Sequence, residues 1–209
     1  MKQYIHLQQE QGRWQLSNSG VFNIDDINFL KDNQQYPILG QLELLQTITL
    51  SSAVDTVSFD NIKETEYNTH LVQVNNCIPE TDNRHLRLRL KVDSSTITSN
   101  MYRYAMQRVT ASTENEHYAG DTKVWLVYNM GSSTGESTNG YFYVYNAGDP
   151  NKYTNITNHF FCINKDTNQQ LAYGSATYRE TNRVNGIELG TSGGNIASGS
   201  YSLYGMRFS

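Results

Sequence analysis

The stretch His85-Leu86-Arg87-Leu88-Arg89-Leu90-Lys91-Val92 alternates without a break between aliphatic residues and residues that carry or can carry a positive charge. Successive side chains of a β-strand point to opposite faces. Leu86, Leu88, Leu90 and Val92 therefore share one face, and His85, Arg87, Arg89 and Lys91 share the other. A helix would scatter the same leucines around its axis. The stretch predicts a half-buried strand with its aliphatic side on a core.

Working outward, short β-prone runs recur on both sides. They are expected at 47–50, 54–59, 67–78, 101–109, 122–129, 140–146, 159–163, 171–178, 184–189 and 200–208. The intervals 93–100, 131–140, 146–151 and 191–199 are rich in Asn, Gly, Ser and Thr, which supply positive-φ positions and local side-chain hydrogen bonds. The interval 110–122 reads as a polar loop. No long helical periodicity and no repeat of fixed period appear. Short strands at this spacing predict an all-β fold over residues 41–209: an antiparallel β-sandwich, jelly-roll-like, with Leu86, Leu88, Leu90, Phe142, Val144, Ile187, Leu189 and Leu203 pointing inward.

Residues 1–40 read differently. Trp14, Leu16, Val21, Phe22, Ile24, Ile27, Phe29 and Leu30 are too apolar for a disordered tail, yet they show no sustained period. Asp25 to Leu30 is expected to form one helical turn with acidic residues at its start. The segment is expected to be an irregular N-terminal arm that docks on its own domain or on a neighbour, with Trp14, Phe22 and Phe29 as contacts. Tyr36-Pro37 stiffens the exit from it.

The chain has 209 residues, enough for one sizeable core without disulfides or a structural metal. Apolar residues make up 37% and charged residues only 17%, so the balance is uncharged polar residues and tyrosine. Fifteen Tyr against three Pro favours strands and contact surfaces, where a tyrosine ring buries area and its hydroxyl stays wet. A net charge of -4 gives no general attraction to nucleic acid or to an anionic membrane. No apolar run reaches the roughly 20 residues that span a bilayer. Polar Gln8-Gln9-Glu10-Gln11 follows the first residues at once, unlike a signal peptide, which predicts a cytosolically made, unprocessed chain. Cys77, Trp125 and Cys162 have the order of an immunoglobulin core but not its spacing, because the Trp lies too far beyond the first Cys. Two reduced, partly buried cysteines are expected instead.

Phosphate-binding glycine patterns, metal-ligand spacings, a calcium loop and a nucleophile elbow are all missing from the sequence. No catalytic residue, cofactor or metal is expected. Glu114-Asn115-Glu116-His117 is the best enzymatic candidate, since a strand would place both carboxylates on one face, as a glycosidase requires. The competing reading is a solvated loop. The row His85, Arg87, Arg89, Lys91 either grips an anionic glycan or an acidic subunit, or pairs with acids on adjacent strands. No second basic strand supplies the contacts that nucleic acid needs. Tyr141-Phe142-Tyr143-Val144-Tyr145 sends Tyr141, Tyr143 and Tyr145 to one side. That face either stacks on sugar rings, enters an oligomer interface or packs in a core. Tyr141, Tyr143, Tyr145, Arg87 and Arg89 are the candidate interface or glycan contacts. Asn155-Ile156-Thr157 is a glycosylation sequon by pattern only.

From about Leu42 onward the chain resembles a group of tailed-phage virion proteins, frequent in marine and cyanobacterial phages and described as fibre, knob or capsid-associated proteins. The resemblance is carried by Leu42-Glu43-Leu44-Leu45-Gln46-Thr47-Ile48-Thr49, by Pro79-Glu80-Thr81-Asp82-Asn83 ahead of the alternating strand, and by Tyr102-Arg103-Tyr104-Ala105. It continues in Asn139-Gly140-Tyr141-Phe142-Tyr143-Val144-Tyr145-Asn146 and in the ending from Ser192 to Gly205. These motifs are turns and strands rather than catalytic signatures, so no functional residue is carried over. The resemblance implies a jelly-roll-like sandwich located in a virion, with other copies of itself and other virion proteins as partners, and a host-surface glycan as a further one. Two functions stay open at this point: a structural or adhesion protein of the particle, working as a homo-oligomer, and a carbohydrate-binding module or glycan-active sandwich.

Overall fold

The computed structural model describes residues 6–10, 13–17, 24–32, 42–110 and 114–206. The chain divides into two units, Met1–Gly40 and Gln41–Ser209.

In the first unit, strands β1 (His6–Glu10) and β2 (Arg13–Ser17) form an antiparallel hairpin, and α1 spans Ile24–Asp32. Two expectations are corrected here. The single helical turn is a nine-residue helix: Asp25 and Asp26 favour its N-terminus, and no Gly or Pro interrupts it before Asp32. The segment is also not irregular throughout, since backbone pairing in β1 and β2 needs no apolar alternation to form. Trp14 lies on β2, in register with Gln9. Phe29 lies on α1 and is exposed. Phe22 falls outside the described residues.

The second unit is all-β, and all its strand pairings are antiparallel. Its strands are β3 (Leu42–Thr49), β4 (Thr56–Phe59), β5 (Thr69–Pro79), β6 (Arg84–Val92), β7 (Ser95–Thr96), β8 (Tyr102–Thr110), β9 (Glu114–Asp121) and β10 (Val124–Met130). They are followed by β11 (Thr138–Tyr145), β12 (Thr154–Ile163), β13 (Gln169–Tyr178), β14 (Gly186–Thr191) and β15 (Ile196–Met206). Eight form one sheet in the order β3-β15-β5-β11-β12-β13-β8-β9. Five form the other, in the order β10-β6-β14-β4 with β7 beside β6.

The strand that opened the sequence reading is β6. Leu86, Leu88 and Leu90 are fully buried, while Arg87, Arg89 and Lys91 are half-buried on the other side. Phe142, Val144, Ile187, Leu189 and Leu203 are also fully buried, so all eight expected inward residues lie in the core. One continuous apolar cluster draws on both sheets, and β10 packs across β12, β8 and β13. A polar bond crosses that core: the Leu90 N–H donates to the Tyr102 hydroxyl at 2.9 Å. It satisfies a buried hydroxyl that would otherwise be costly to desolvate.

The interval 110–122 corrects another expectation. Residues 114–121 are strand β9, paired with β8 from Val109↔Glu114 to Tyr102↔Asp121. β9 is an edge strand, bonded on one side only. Its backbone supplies the pairing while Glu114 and Glu116 face solvent, so it carries no apolar alternation. β12 and β3 begin earlier than expected, and β15 begins inside the expected break at 191–199.

Candidate contact surface on the outer face of the eight-stranded sheet

β11 lies in the middle of the larger sheet, and its alternation decides what the outer face presents. Phe142 and Val144 occupy the core, which sends Tyr141, Tyr143 and Tyr145 outward. Tyr141 is 42% exposed, so this strand is not buried on both faces. The three rings form a ladder along the strand. Tyr141 meets Tyr143 edge-on at 5.8 Å between centroids, and Tyr143 stacks on Tyr145 at 6.0 Å. The Tyr145 hydroxyl and the Thr157 hydroxyl share a hydrogen bond of 3.3 Å.

Cross-strand register extends the ladder sideways in two directions. Toward β9, Tyr141 stands opposite His159, His159 opposite Tyr173, Tyr173 opposite Gln107, and Gln107 opposite Glu116. The ring centroids of Tyr141 and His159 are 5.8 Å apart, and those of His159 and Tyr173 are 6.5 Å apart. Both pairs are tilted, with interplanar angles of 33° and 31°, so the three rings form one aromatic row across three strands. Toward the opposite edge, Tyr143 stands opposite Leu71, Leu71 opposite Tyr204, and Tyr204 opposite Leu44. Leu44 is 55% exposed. The face thus has one apolar row over β5, β15 and β3, flanked by the hydroxyl pairs Thr47–Ser202 and Thr49–Ser200, and a mixed aromatic-polar half over β12, β13, β8 and β9.

The mixed half contains a groove of about 580 Å³. Ala105, Gly174 and Ser175 form its floor, and Tyr173, Gln107 and Glu116 stand around it. Glycine is required at 174: a Cβ there would lie 2.2 Å from the Ala105 carbonyl oxygen. The walls are tied together. The Tyr173 hydroxyl donates to Gln107 Oε1, and Gln107 Nε2 donates to Glu114 Oε1. Glu114 and Glu116 share one strand face, as the sequence alternative required, and both are exposed.

The basic row is occupied from within. Arg87 Nη1 donates to Glu188 Oε1 at 2.6 Å, and Arg87 Nε donates to the Thr191 carbonyl at 3.2 Å. Glu188 Oε2 also accepts from the Thr96 hydroxyl at 2.8 Å. Burial alone would raise the Glu188 carboxyl, but the bonds from Arg87 and Thr96 outweigh it and hold the carboxyl below its usual range. Gly190 makes the room for this arrangement, because a Cβ there would come within 2.6 Å of Arg87 Nη2. Arg89 Nε donates to the Thr122 carbonyl at 3.2 Å, and Lys91 pairs with Asp60. The His85 ring packs against Trp125 and Tyr128 and accepts the Asn129 N–H on Nδ1 at 3.0 Å. Arg87 and Lys91 therefore pair with acids from the surrounding strands and loops.

Cys77 and Cys162 are free and buried. Both stand in register with Thr138 of β11, one on either side. Two inter-strand steps put them about 10 Å apart, too far for a disulfide. Burial pushes the Cys77 thiol up to about 11 and the Cys162 thiol up to about 12, so neither is a reactive thiolate at neutral pH. Among the described residues, no three His, Cys, Asp or Glu side chains converge to hold a metal ion, and no helix is long and apolar enough to cross a membrane.

Sequence reading located Tyr141, Tyr143 and Tyr145 on this face. It missed His159, Tyr173, Gln107, Leu44 and Tyr204 as their companions. Outward parity along each strand was available as a signal, but the register that lines the strands up was not. No known protein family, curated protein or solved structure matches the chain.

Proposed function

We propose that this protein is a non-enzymatic structural component of a tailed-phage particle, a fibre, knob or capsid-decoration element that assembles as an oligomer and takes part in adsorption to the host surface. Its setting rests on the resemblance of residues 42–205 to such virion proteins. The observation that carries a contact role is the outer face of the eight-stranded sheet, where Leu42, Leu44, Tyr141, Phe161 and Tyr173 are all substantially exposed. Exposed aromatic and aliphatic side chains gathered on one sheet face mark interaction surfaces in soluble proteins. Tyr143, Leu71, Tyr204 and Leu44 suit a subunit contact, because they are apolar and lie in one continuous row.

The domain is read as an antiparallel β-sandwich. Support comes from two antiparallel sheets that contribute to one apolar cluster. The jelly-roll likeness lies in this layering alone, since eight strands against five differ from the eight strands of a double Greek key. Residues 1–40 form a separate unit and are proposed to attach the domain to other virion proteins.

Mass spectrometry of purified particles tests the proposal, and absence of the chain from them would overturn it. Removing residues 1–35 should leave a folded domain that no longer enters particles. Normal incorporation of that truncation would reject the attachment role. A second reading, a glycan-active protein, is favoured by Glu114 and Glu116, both exposed on one strand face beside the groove. Release of reducing sugar by the pure protein, lost in Glu116→Gln, would support it.

A further inference from the structure

We propose that the row Tyr141–His159–Tyr173–Gln107–Glu116 is a binding track for a neutral, linear glycan that crosses the strands of the larger sheet. The inference rests on the reading of this face as a contact surface, and it assigns the chemistry of one half of it.

Geometry comes first. Five side chains on five adjacent strands stand in direct register. Four inter-strand steps of about 4.8 Å give a track about 19 Å long. Its first three members are rings spaced at 5.8 and 6.5 Å with shallow tilts. A row of exposed aromatic rings offers edges and faces against which the C–H faces of successive sugar rings can pack, each burying apolar area while its hydroxyls stay wet.

The far end of the row supplies what stacking lacks. Sugar hydroxyls need donors and acceptors held in fixed directions, and the track ends in a groove with an amide and a carboxylate on its walls. The Gln107 amide is held at both ends, by the Tyr173 hydroxyl and by Glu114. This bonding also fixes the Tyr173 ring, so little ordering is left to be done on binding. The small floor residues Ala105, Gly174 and Ser175 leave the depth for one ring to settle beside Tyr173.

Charge selects the class of glycan. Neither this row nor the row Phe161–Leu171–Val109–Glu114 contains Lys or Arg. Arg103 stands farther along β8, and its Nη1 is bonded to the Tyr102 carbonyl and to Asn100 Oδ1. Among the described residues, no Lys or Arg therefore stands on either row beside Glu114 and Glu116, and a carboxylated or sulfated chain would be repelled. The arginine-rich face of the other sheet, for which an anionic glycan is one of the alternatives, has Arg87 bonded to Glu188.

Affinity electrophoresis of the full chain tests the proposal. The native gels contain neutral polysaccharides (dextran, mannan, mixed-linkage β-glucan, glycol chitin) or anionic ones (alginate, polygalacturonate). The expected result is retardation in at least one neutral gel and in neither anionic gel. Tyr173→Ala should weaken that retardation by about tenfold or more, through the lost stacking surface. Tyr173→Phe, which keeps the ring, should retain most of it. Tyr153→Ala, which removes an exposed tyrosine outside the row, should match the unsubstituted protein. Should Tyr173→Ala fail a thermal melt, the exposed-site variant Glu116→Ala takes its place with the same expected loss. The proposal is overturned if the folded protein is retarded in no neutral gel, if it is retarded only in anionic gels, or if Tyr173→Ala migrates as the unsubstituted protein does. Failure here with the chain present in purified particles sinks the glycan track alone. Retardation by a protein that is absent from particles sinks the virion role and leaves the track standing.

Discussion

Arg87 and Glu188 form an ion pair of 2.6 Å between β6 and β14, with each side chain only 12% exposed. The pair closes the outer side of the smaller sheet, and Thr96 completes the carboxylate's bonding. Removing one partner leaves the other charge largely out of water. Arg87→Leu or Glu188→Leu alone is expected to cost about 2–4 kcal/mol in a urea titration. The Arg87→Leu, Glu188→Leu double variant is expected to recover at least half of that loss. Additive losses in the double variant would mean that the pair is not coupled.

Leu88 lies at the centre of β6 and is fully buried. Leu88→Ala is expected to cost about 2–5 kcal/mol through lost transfer energy and a residual cavity. Leu88→Asp places an unpaired carboxylate in the shared core and is expected to abolish folding. A monodisperse Leu88→Asp protein with a cooperative melt would show that the assigned core face is wrong.

What the sequence made legible was parity. The alternation around Leu88 and the Tyr-Phe-Tyr-Val-Tyr run each give the inward face of a strand without knowledge of its neighbours. Register is another matter. Arg87 and Glu188 are 101 residues apart, and nothing local to either announces the pairing that occupies the arginine. The alignment of Tyr141, His159 and Tyr173 likewise arises only when three strands are laid side by side. β9 was missed because an edge strand that begins Glu-Asn-Glu, with both carboxylates solvated, has no hydrophobic pattern to detect. The helix α1 was underestimated because its apolar positions lack a sustained period.

Stability should fall with acid in two stages. His70 is fully buried, and burial lowers its pKa more than the 2.7 Å bond from Nε2 to the Ile62 carbonyl raises it. The unfolded chain takes up this proton below about pH 6.5 while the folded chain resists it, so stability is lost as pH falls from there. Glu188, whose pKa is lowered, adds a further loss below about pH 4.3 as the carboxylate bonded to Arg87 becomes protonated. Urea midpoints measured between about pH 8 and pH 5 should decline for the unsubstituted protein. They should decline less for His70→Gln, which has no proton to take up. An unchanged slope in that variant would remove His70 from the account.

The row Tyr143–Leu71–Tyr204–Leu44 on the larger sheet is expected to carry the contact between copies. Tyr143 and Tyr145 stack on one another, and Tyr143 continues through Leu71 and Tyr204 to the exposed Leu44. Interfaces gain most from side chains that bury large area and still satisfy a polar end, which tyrosine does. Closed symmetric assembly would cover this row on every copy at once, whereas an uncovered row invites open-ended aggregation. The Tyr143→Ala, Tyr145→Ala double variant should therefore shift the mass toward the monomer in light scattering, with its melting transition intact. Leu44→Asp, which places a charge at the exposed end of the same row, should do so at lower cost to folding. If both variants keep the mass of the unsubstituted protein, the row is not the subunit contact. If they keep the mass and lose retardation in neutral-polysaccharide gels, the glycan track extends along β11 and assembly uses another face.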